Sequence, residues 1–395
     1  MKIALLAALL VTTGCGSGAA RGGGSVDAGS GPLDLPAGQW SYVDFPNAKC
    51  GDGSSTGLLV SPGSDGLLFF MEGGAYCAGG CALGFSSGPP ENRDLFSSLP
   101  ASERPAFVSY LNDPNTWDPN SIFSRSDSDN VFRSFTYVYV IGCTGDLYAG
   151  DNVVTDAGTP DSTFHHEGHA NTVAFLDRLA ATWPDPQRVV VAGSSLGGFG
   201  ALFNYDTFKQ FWPSTKMYLI DDSGTLLLGY PFSDIGAAWT EWNLQPTVGE
   251  FCPSCQTDPS TVYAALAQKY PNDRKSLLSH LDDPVYENYD GVGGAAAFSD
   301  ALRATAAGEL EPNHWIWFFD DERGHTFINT AQPGSFAPSQ TAAVVSNGVS
   351  VKAFLKAQID DDPSWGSVAP PGASDGGATS GSDGGASSPD GAGGG

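Results

Sequence analysis

A run of three valines that leads into a glycine-flanked serine is the sequence feature that most restricts how this chain can fold. Residues 189–191 precede a G-x-S-x-G sequence at 193–197, and an apolar segment at 199–203 follows directly. Because β-branched residues favour strands and glycines permit a tight turn, this order predicts a buried strand, a sharp turn and a helix. Such a turn lifts the Ser195 hydroxyl above the sheet as a candidate nucleophile, and it directs the Leu196 amide toward a developing oxyanion.

Strand-like and helix-like segments alternate along much of the chain. The predicted strands are 57–61, 67–71, 136–141, 188–192, 216–221, 275–281 and 314–319, and the predicted helices are 168–182, 198–211, 260–269 and 294–307. This alternation is typical of an α/β protein, a mostly parallel sheet with helices on both faces. Several strands are continuous apolar runs, which indicates burial on both sides. Together with the serine turn, the pattern predicts the α/β-hydrolase fold.

An insert between residues 225 and 255 has no regular pattern and contains Tyr230, Trp239 and Trp242. Long connections on a rigid scaffold often carry function, so the insert is a candidate lid. Its aromatic rings could stack on sugar rings or pack into the core, and the sequence leaves both interpretations open.

Both ends of the chain are predicted to lie outside the folded domain, which spans 39–368. Residues 1–14 are typical of a lipoprotein-type signal peptide, because one positive charge precedes an apolar run too short to span a bilayer. Cys15 is the candidate lipidation site, and cleavage nearby that leaves Cys15 free is the alternative. Residues 15–38 form a Gly/Ser-rich tether, and residues 369–395 form a disordered tail rich in Gly, Ser and Asp.

The chain is strongly acidic, with 18 lysines and arginines against 44 aspartates and glutamates and a net charge of −26. This charge argues against nucleic acids and anionic membrane surfaces as partners, so membrane contact is expected only through a lipid on Cys15. A hydrophobic content of 41% over 395 residues is ample for one large domain. We expect a monomer, either secreted or held in the bacterial cell envelope as a lipoprotein.

Six cysteines remain when Cys15 is set apart, and an even number in an exported chain predicts disulfides. Two short spacings favour local pairs, so the expected pairs are Cys77 with Cys81, Cys252 with Cys255, and Cys50 with Cys143. A zinc site built from the four closely spaced cysteines is the alternative, but an oxidising compartment favours disulfides.

Three histidines at residues 165–169 suggest a second possible metal site. His165 and His169 are four residues apart and could share a helix face, but the H-E-x-x-H order is absent and Gly168 weakens the helix. The segment is therefore predicted to be the polar start of a helix, with no metal bound.

A nucleophilic serine needs a general base, and the base needs an acid to orient it. In α/β-hydrolases the three follow successive strands in the order serine, acid, histidine. His325 follows the predicted strand 314–319 by a short polar loop, which is where the base belongs. By contrast, His280 lies within a predicted strand and His314 lies at the start of one, the wrong end of the sheet.

The acid is expected after the penultimate strand, which ends in paired aspartates. Asp283 is favoured, with Asp282 as the alternative acid, because both fit the loop after that strand. Four other aspartates compete at neighbouring strand ends, namely Asp221, Asp222, Asp320 and Asp321.

An early turn at 67–77 can supply the second half of an oxyanion hole, because its small residues let backbone amides approach a substrate. Sequence blocks around it occur in a fixed order: KCGDGS at 49–54, MEGGAYC at 71–77, GD at 145–146 and at 150–151, GSSLG at 193–197 and DDSG at 221–224. These blocks resemble the pectin acetylesterase family, which includes the animal Notum carboxylesterases. The resemblance extends over about residues 49–368.

This resemblance implies an α/β-hydrolase-fold serine esterase that needs no metal or organic cofactor. By motif position it implies Ser195 as the nucleophile and Asp283 as the acid. The backbone amides of Ala75, Tyr76 and Leu196 would then form the oxyanion hole.

The chain departs from the family pattern in three places. The family's Gly-Gly-Gly-Trp reads Gly-Gly-Ala-Tyr at 73–76, and Ser194 stands where plant members carry cysteine. Plant members place the base in a His-Cys-Gln motif, but this chain has no histidine after His325. Gly324-His325-Thr326 is similar instead to the bacterial pectinacetylesterase-like branch, which implies His325 as the base.

The expected reaction is removal of O-acetyl groups from a polysaccharide such as pectin through an acyl-serine intermediate. A lipase-like or fatty-acyl deacylase is the alternative, because the depth of the acyl pocket cannot be deduced from sequence. A catalytically inactive homologue that binds glycans is a further alternative.

Overall fold

The computed structural model describes residues 31–74, 76–77, 102–113, 116–117, 121–155, 163–230, 233–288, 292–328 and 344–370. The predicted signal peptide, Cys15, most of the tether, Ala75, Cys81 and residues 371–395 of the predicted tail lie outside the described residues.

An eight-stranded sheet forms the centre of the domain, in the order β1-β2-β4-β3-β7-β8-β9-β10. The strands that the structure describes are β1 (Ser41–Lys49), β2 (Ser55–Ser61), β3 (Leu67–Met71), β4 (Thr136–Val140), β5 (Asn152–Thr155), β6 (Thr163–His166), β7 (Arg188–Ser194), β8 (Lys216–Asp222), β9 (Arg274–Asp282), β10 (Ile316–Arg323), β11 (Val345–Ser346) and β12 (Val349–Ser350). Of these, β5 with β6 and β11 with β12 form two separate two-stranded sheets. Strands β4, β3, β7, β8, β9 and β10 are successively parallel, and β2 pairs antiparallel with both β1 and β4. The predicted mostly parallel sheet is confirmed.

Helices cover both faces of this sheet. They are α1 (Arg104–Leu111), α2 (Gly168–Thr182), α3 (Leu196–Phe211), α4 (Ser233–Glu241), α5 (Val262–Lys269), α6 (Ala295–Thr305) and α7 (Val351–Ile359). Successive side chains of a strand point to opposite faces, so Phe69 packs edge-on against Phe208 of α3 while Phe70 packs against Phe123 on the other face. Two apolar cores result, one on each side of the sheet.

The 225–255 insert is more regular than its sequence suggests. It contains α4 and a π-helical turn at Gln245–Gly249. Trp239 and Trp242 are buried, and Trp242 Nε1 donates a hydrogen bond to the Cys77 carbonyl at 2.9 Å. Of the two interpretations left open, core packing therefore applies to both tryptophans.

Residues 165–166 correct a second prediction. They belong to β6, which pairs antiparallel with β5, and α2 begins only at Gly168. The helix therefore has its predicted bounds, 168–182, but residues 165–166 form a strand and not part of the polar helix start, because this short strand depends on its pairing with β5 and not on an apolar pattern of its own.

Two disulfides join described residues as expected. Cys50 is bonded to Cys143, which ties the end of β1 to the loop after β4, and Cys252 is bonded to Cys255 within the insert. The second bond removes two of the four thiolates that the zinc alternative requires.

Among the described residues, no helix combines the length and apolar character needed to cross a membrane.

Candidate active site

Ser195 lies in the sharp turn between β7 and α3. Its φ of 56° is positive, a conformation that few residues other than glycine adopt and that marks a strained turn. A Cβ atom on Gly193 would lie 2.0 Å from the Gly197 carbonyl oxygen, and one on Gly197 would lie 2.0 Å from the Met71 carbonyl oxygen. Both glycines of the G-x-S-x-G sequence are therefore required by close backbone contacts.

Ser195, His325 and Asp283 form a continuous hydrogen-bonded chain. His325 Nε2 is 2.8 Å from Ser195 Oγ, and His325 Nδ1 is 2.8 Å from Asp283 Oδ2. The Asp283 side chain is fully buried, whereas that of His325 is 22% exposed. This geometry lets His325 take a proton from the serine while Asp283 fixes the orientation of the ring.

Parallel strands bring these three side chains together. Ser195 follows β7, Asp283 follows β9 and His325 follows β10, so all three lie at the carboxyl edge of the sheet. The Asp283 carboxylate is also held locally, because its Oδ1 accepts a hydrogen bond from the Val285 amide at 2.9 Å.

Asp282, the alternative acid, does not take part in the hydrogen bonds between Ser195, His325 and Asp283. Its carboxylate is 2.5 Å from Nη1 of Arg323, which also binds Glu287, and all three side chains lie at the surface or close to it. Asp282, the last residue of β9, therefore belongs to a surface ion pair, whereas the next residue, Asp283, contacts His325.

The other competing aspartates also have separate partners. Asp320 pairs with His280 inside the sheet, and Asp221 accepts a hydrogen bond from the Gly224 amide at 2.8 Å. Asp222 accepts hydrogen bonds from two amides of the loop that follows His325. Asp321 is exposed on β10.

Leu196 is the first residue of α3, directly after Ser195. Amides in the first turn of a helix have no acceptor within the helix, and the helix dipole adds positive potential there. The Leu196 amide is thus suited to receive an oxyanion. On the opposite side, a Cβ atom on Gly73 would lie 3.3 Å from Ser195 Cβ, so the turn after β3 borders the serine. Tyr76 packs edge-on against Trp242, and Ala75 lies outside the described residues.

Tyr148 supports the turn after β3, a role that sequence reasoning missed. Its hydroxyl donates a hydrogen bond to the Glu72 carbonyl at 2.7 Å. Burial raises the pKa of Tyr148 well above its usual value, so the hydroxyl stays protonated as a donor. Asp146 holds Tyr148 in place by accepting a hydrogen bond from its amide at 3.0 Å. The GD sequence at 145–146 was the available signal for this support.

The histidines of the 165–169 segment have structural partners. His165 Nδ1 is 2.6 Å from Glu167, and the buried His166 is 3.4 Å from Glu241. Burial lowers the pKa of His169. In the part of the chain that the structure describes, no group of three or more His, Cys, Asp or Glu side chains is arranged to hold a metal ion.

Comparisons with known proteins agree with this architecture. The family model described as Pectinacetylesterase matches residues 41–234, which include Ser195 and end before Asp283 and His325. Two curated relatives are palmitoleoyl-protein carboxylesterases of the Notum type. The one from Schmidtea mediterranea is 29% identical over 180 residues, 43% of this chain and 30% of the relative. The one from Drosophila melanogaster is 23% identical over 268 residues, 62% of this chain and 37% of the relative.

A solved structure of the Wnt deacylase Notum from Drosophila has a similar fold. The TM-score is 0.61 at 16% sequence identity, and the match covers 85% of this chain and 97% of that one. The predicted α/β-hydrolase fold and the resemblance inferred from the sequence blocks are both confirmed. The aligned part of this chain spans about a third of the length of the curated relatives that it matches.

Proposed function

This chain is a relative of the pectinacetylesterases and the Notum carboxylesterases, and on that premise we propose that it is a serine carboxylesterase. The observation that carries the proposal is the pair of 2.8 Å hydrogen bonds that links Ser195 through His325 to Asp283. Serine hydrolases use this order of nucleophile, base and orienting acid.

In the proposed reaction, Ser195 Oγ attacks the acyl carbon of the ester while His325 Nε2 accepts the hydroxyl proton. The carbonyl electrons move to oxygen, which the Leu196 amide and, by resemblance, those of Ala75 and Tyr76 would stabilise. When the tetrahedral intermediate collapses, the alcohol leaves with the proton from His325 and an acyl-serine remains. Water then attacks the acyl-serine with His325 as the base again, and the carboxylic acid is released.

We propose an acetylated polysaccharide, such as pectin, as the substrate. The match to the Pectinacetylesterase family over 41–234 supports this choice. A fatty-acyl deacylase is the second candidate, because the curated relatives are palmitoleoyl-protein carboxylesterases. The two candidates differ in the length of acyl chain that the site must accept.

The test compares wild type with Ser195→Ala on p-nitrophenyl acetate, p-nitrophenyl octanoate, acetylated pectin and acetylated xylan. We expect acetate release by wild type and a fall in kcat of at least about 10⁴-fold in the variant, because the nucleophile is removed. Ser364→Ala is the matched control, since Ser364 caps a surface turn with Asp362, and it should keep full activity.

Preference for octanoate over acetate would move the proposal to the fatty-acyl deacylase. Folded wild type that hydrolyses none of the four esters would contradict the esterase proposal. Binding to acetylated pectin in that case would support the inactive glycan-binding alternative.

We further propose that the protein is exported and attached to the bacterial cell envelope through a lipid on Cys15. The two disulfides fit an exported protein, because such bonds persist in oxidising compartments. The apolar run at 3–11 that precedes Cys15 supports lipoprotein processing. In a bacterial host fed an alkyne-labelled fatty acid, wild type should carry the label in the membrane fraction and Cys15→Ser should not. Unlabelled wild type in the culture medium would instead support secretion.

A further inference from the structure

Asp222 occupies the position in the sheet that adjoins both the nucleophile strand and the acid strand. It is the last residue of β8, which lies between β7 and β9, and it is paired in register with Ser194 on one side and Leu278 on the other. The residue is completely buried. A buried carboxylate is costly unless its oxygens are hydrogen-bonded, so its partners indicate why it is there.

The hydrogen bonds of Asp222 connect two separate parts of the active site. Its carboxylate accepts from the Phe327 amide at 2.9 and 3.1 Å and from the Ile328 amide at 2.9 Å, which fixes the loop directly after His325. The Ser194 hydroxyl donates to the same carboxylate at 2.5 Å. The Asp222 backbone carbonyl accepts from the Ser195 amide at 2.7 Å, so this one residue holds both the nucleophile turn and the histidine loop.

The Ser223 hydroxyl donates to the same carboxylate at 3.3 Å, and only a carboxylate satisfies all four donors. An ionised aspartate accepts hydrogen bonds on both oxygens and donates none, whereas asparagine would turn an NH₂ group toward an amide or a hydroxyl. Burial raises the pKa of Asp222, while the hydrogen bonds from the Ser194 hydroxyl and the two amides favour its ionised form.

Asp222 does not occupy the place of the catalytic acid, because His325 Nδ1 contacts Asp283. Its influence on His325 passes through the backbone two and three residues further along. The side chain of Phe327 is held separately, by stacking on His280 at a ring distance of 4.0 Å. Backbone and ring of this loop therefore have different supports.

We propose that Asp222 is a positioning residue that fixes the His325 loop to the nucleophile turn, so that the hydrogen bond between His325 and Ser195 is formed before substrate binds. The proposal rests on the serine esterase function above. It predicts that loss of the carboxylate slows the chemical step more than it weakens substrate binding.

The test uses the full chain and two neighbouring variants, Asp222→Asn and Asp221→Asn. In Asp222→Asn we expect kcat on p-nitrophenyl acetate to fall about 10²-fold, because displacing the base, His325, by about 1 Å lowers the rate by that factor. KM should stay within about threefold, since no substrate contact is removed. The rate of inactivation by a fluorophosphonate should fall in parallel with kcat, because that reagent needs the same activated serine.

Asp221→Asn is the matched control. Asp221 is equally buried, burial raises its pKa well above the usual value, and asparagine keeps an oxygen that can accept the same hydrogen bond. Its one hydrogen bond from Gly224 does not involve the His325 loop. Its kcat and inactivation rate should remain within about threefold of wild type.

Asp222→Asn that has a lower Tm but reacts at the wild-type rate well below that Tm would overturn the proposal. If this variant does not fold, Ser194→Ala decides, because it removes only one donor to the carboxylate; its kcat should fall, and an unchanged kcat overturns the proposal. Wild type that neither reacts with the fluorophosphonate nor hydrolyses ester would instead overturn the proposed function. The two failures are thus distinguishable.

Discussion

Two histidine–aspartate pairs link strands β9 and β10 or the residues that follow them. The histidine comes from β9 in one pair and from the loop after β10 in the other. In one, His280 of β9 is 2.6 Å from Asp320 of β10, and these residues are direct partners in the sheet register. In the other, Asp283 follows β9 and His325 follows β10, with 2.8 Å between the nitrogen and the oxygen. The same two side-chain types are thus paired at nearly the same distance within a few residues of each other.

The surroundings of the second ring nitrogen separate the two pairs. His325 Nε2 faces Ser195 and the ring is partly exposed, so a proton can be exchanged with a substrate. His280 is 4% exposed, and its ring is covered by Phe327 in a nearly parallel stack. A Cβ atom on Gly324 would lie 2.6 Å from His280 Nε2, so the backbone directly before His325 closes the remaining side. The inner pair, His280 with Asp320, therefore supports the loop that carries His325 of the outer pair, His325 with Asp283.

The largest expected difference is between two single variants, in which His325 or His280 is replaced by glutamine. His325→Gln should lower kcat on p-nitrophenyl acetate by a factor on the order of 10⁶, because no base remains for Ser195. His280→Gln should leave activity within about tenfold, since His280 contacts neither the serine nor the acid. Both are measured as purified, folded proteins, and equal losses of activity would show that the two pairs are not functionally distinct.

The next effect distinguishes Asp283 from Asp282. Asp283→Asn should lower kcat about 10⁴-fold, because an amide no longer holds the required tautomer of His325. Asp282→Asn removes one carboxylate from a partly exposed ion pair with Arg323, so its kcat should stay close to wild type. A large loss in Asp282→Asn and not in Asp283→Asn would reverse the assignment of the acid.

This pair also shows how far sequence reasoning reaches. The strand–serine–helix pattern at 189–203 and the chain order of serine, acid and histidine predict β7, the sharp turn, α3 and the edge of the sheet where the site lies. They do not separate Asp282 from Asp283, because adjacent residues differ only in the side of the strand they face. That difference is set by the pairing of β9 with β10, which is a tertiary property.

Strand β1 is absent from the strands predicted by the sequence, for a similar reason. Its sequence contains Pro46 and several polar residues, which weaken any strand pattern, and its pairing with β2 is irregular between Phe45 and Lys49. Proline is tolerated there because β1 lies at the edge of the sheet. Edge position, like the buried contacts of Asp222, depends on which strands meet in space.

A third prediction concerns stability and not catalysis. Asp320→Asn removes the carboxylate that pairs with the buried His280 ring and favours its protonation, which should lower the free energy of unfolding by about 1–3 kcal/mol. Urea denaturation monitored by tryptophan fluorescence measures this change. Asp321→Asn is the control, since Asp321 is exposed on the same strand, and it should change stability by less than about 0.5 kcal/mol. Equal stability of the two variants would contradict a structural role for the inner pair.

The smallest expected effect is the pH dependence of this inner pair. Burial lowers the pKa of His280, but the contact with Asp320 and the charges of Asp320, Asp222 and Asp283 more than offset it, so the pKa is raised overall. A histidine whose pKa is higher in the folded than in the unfolded chain adds stability at pH values below its unfolded pKa of about 6.5. That stability is lost as the pH rises through the higher folded pKa.

The difference in free energy of unfolding between wild type and His280→Gln should therefore be largest in mildly acidic solution and should shrink toward alkaline pH. The variant keeps every other titratable group, so subtracting its pH profile isolates the contribution of His280. Urea denaturation at a series of pH values from acidic to alkaline measures both profiles. A difference that grows toward alkaline pH would mean that His280 is buried in its neutral form, and the inner pair would then support the loop that carries His325 by packing against Phe327 alone.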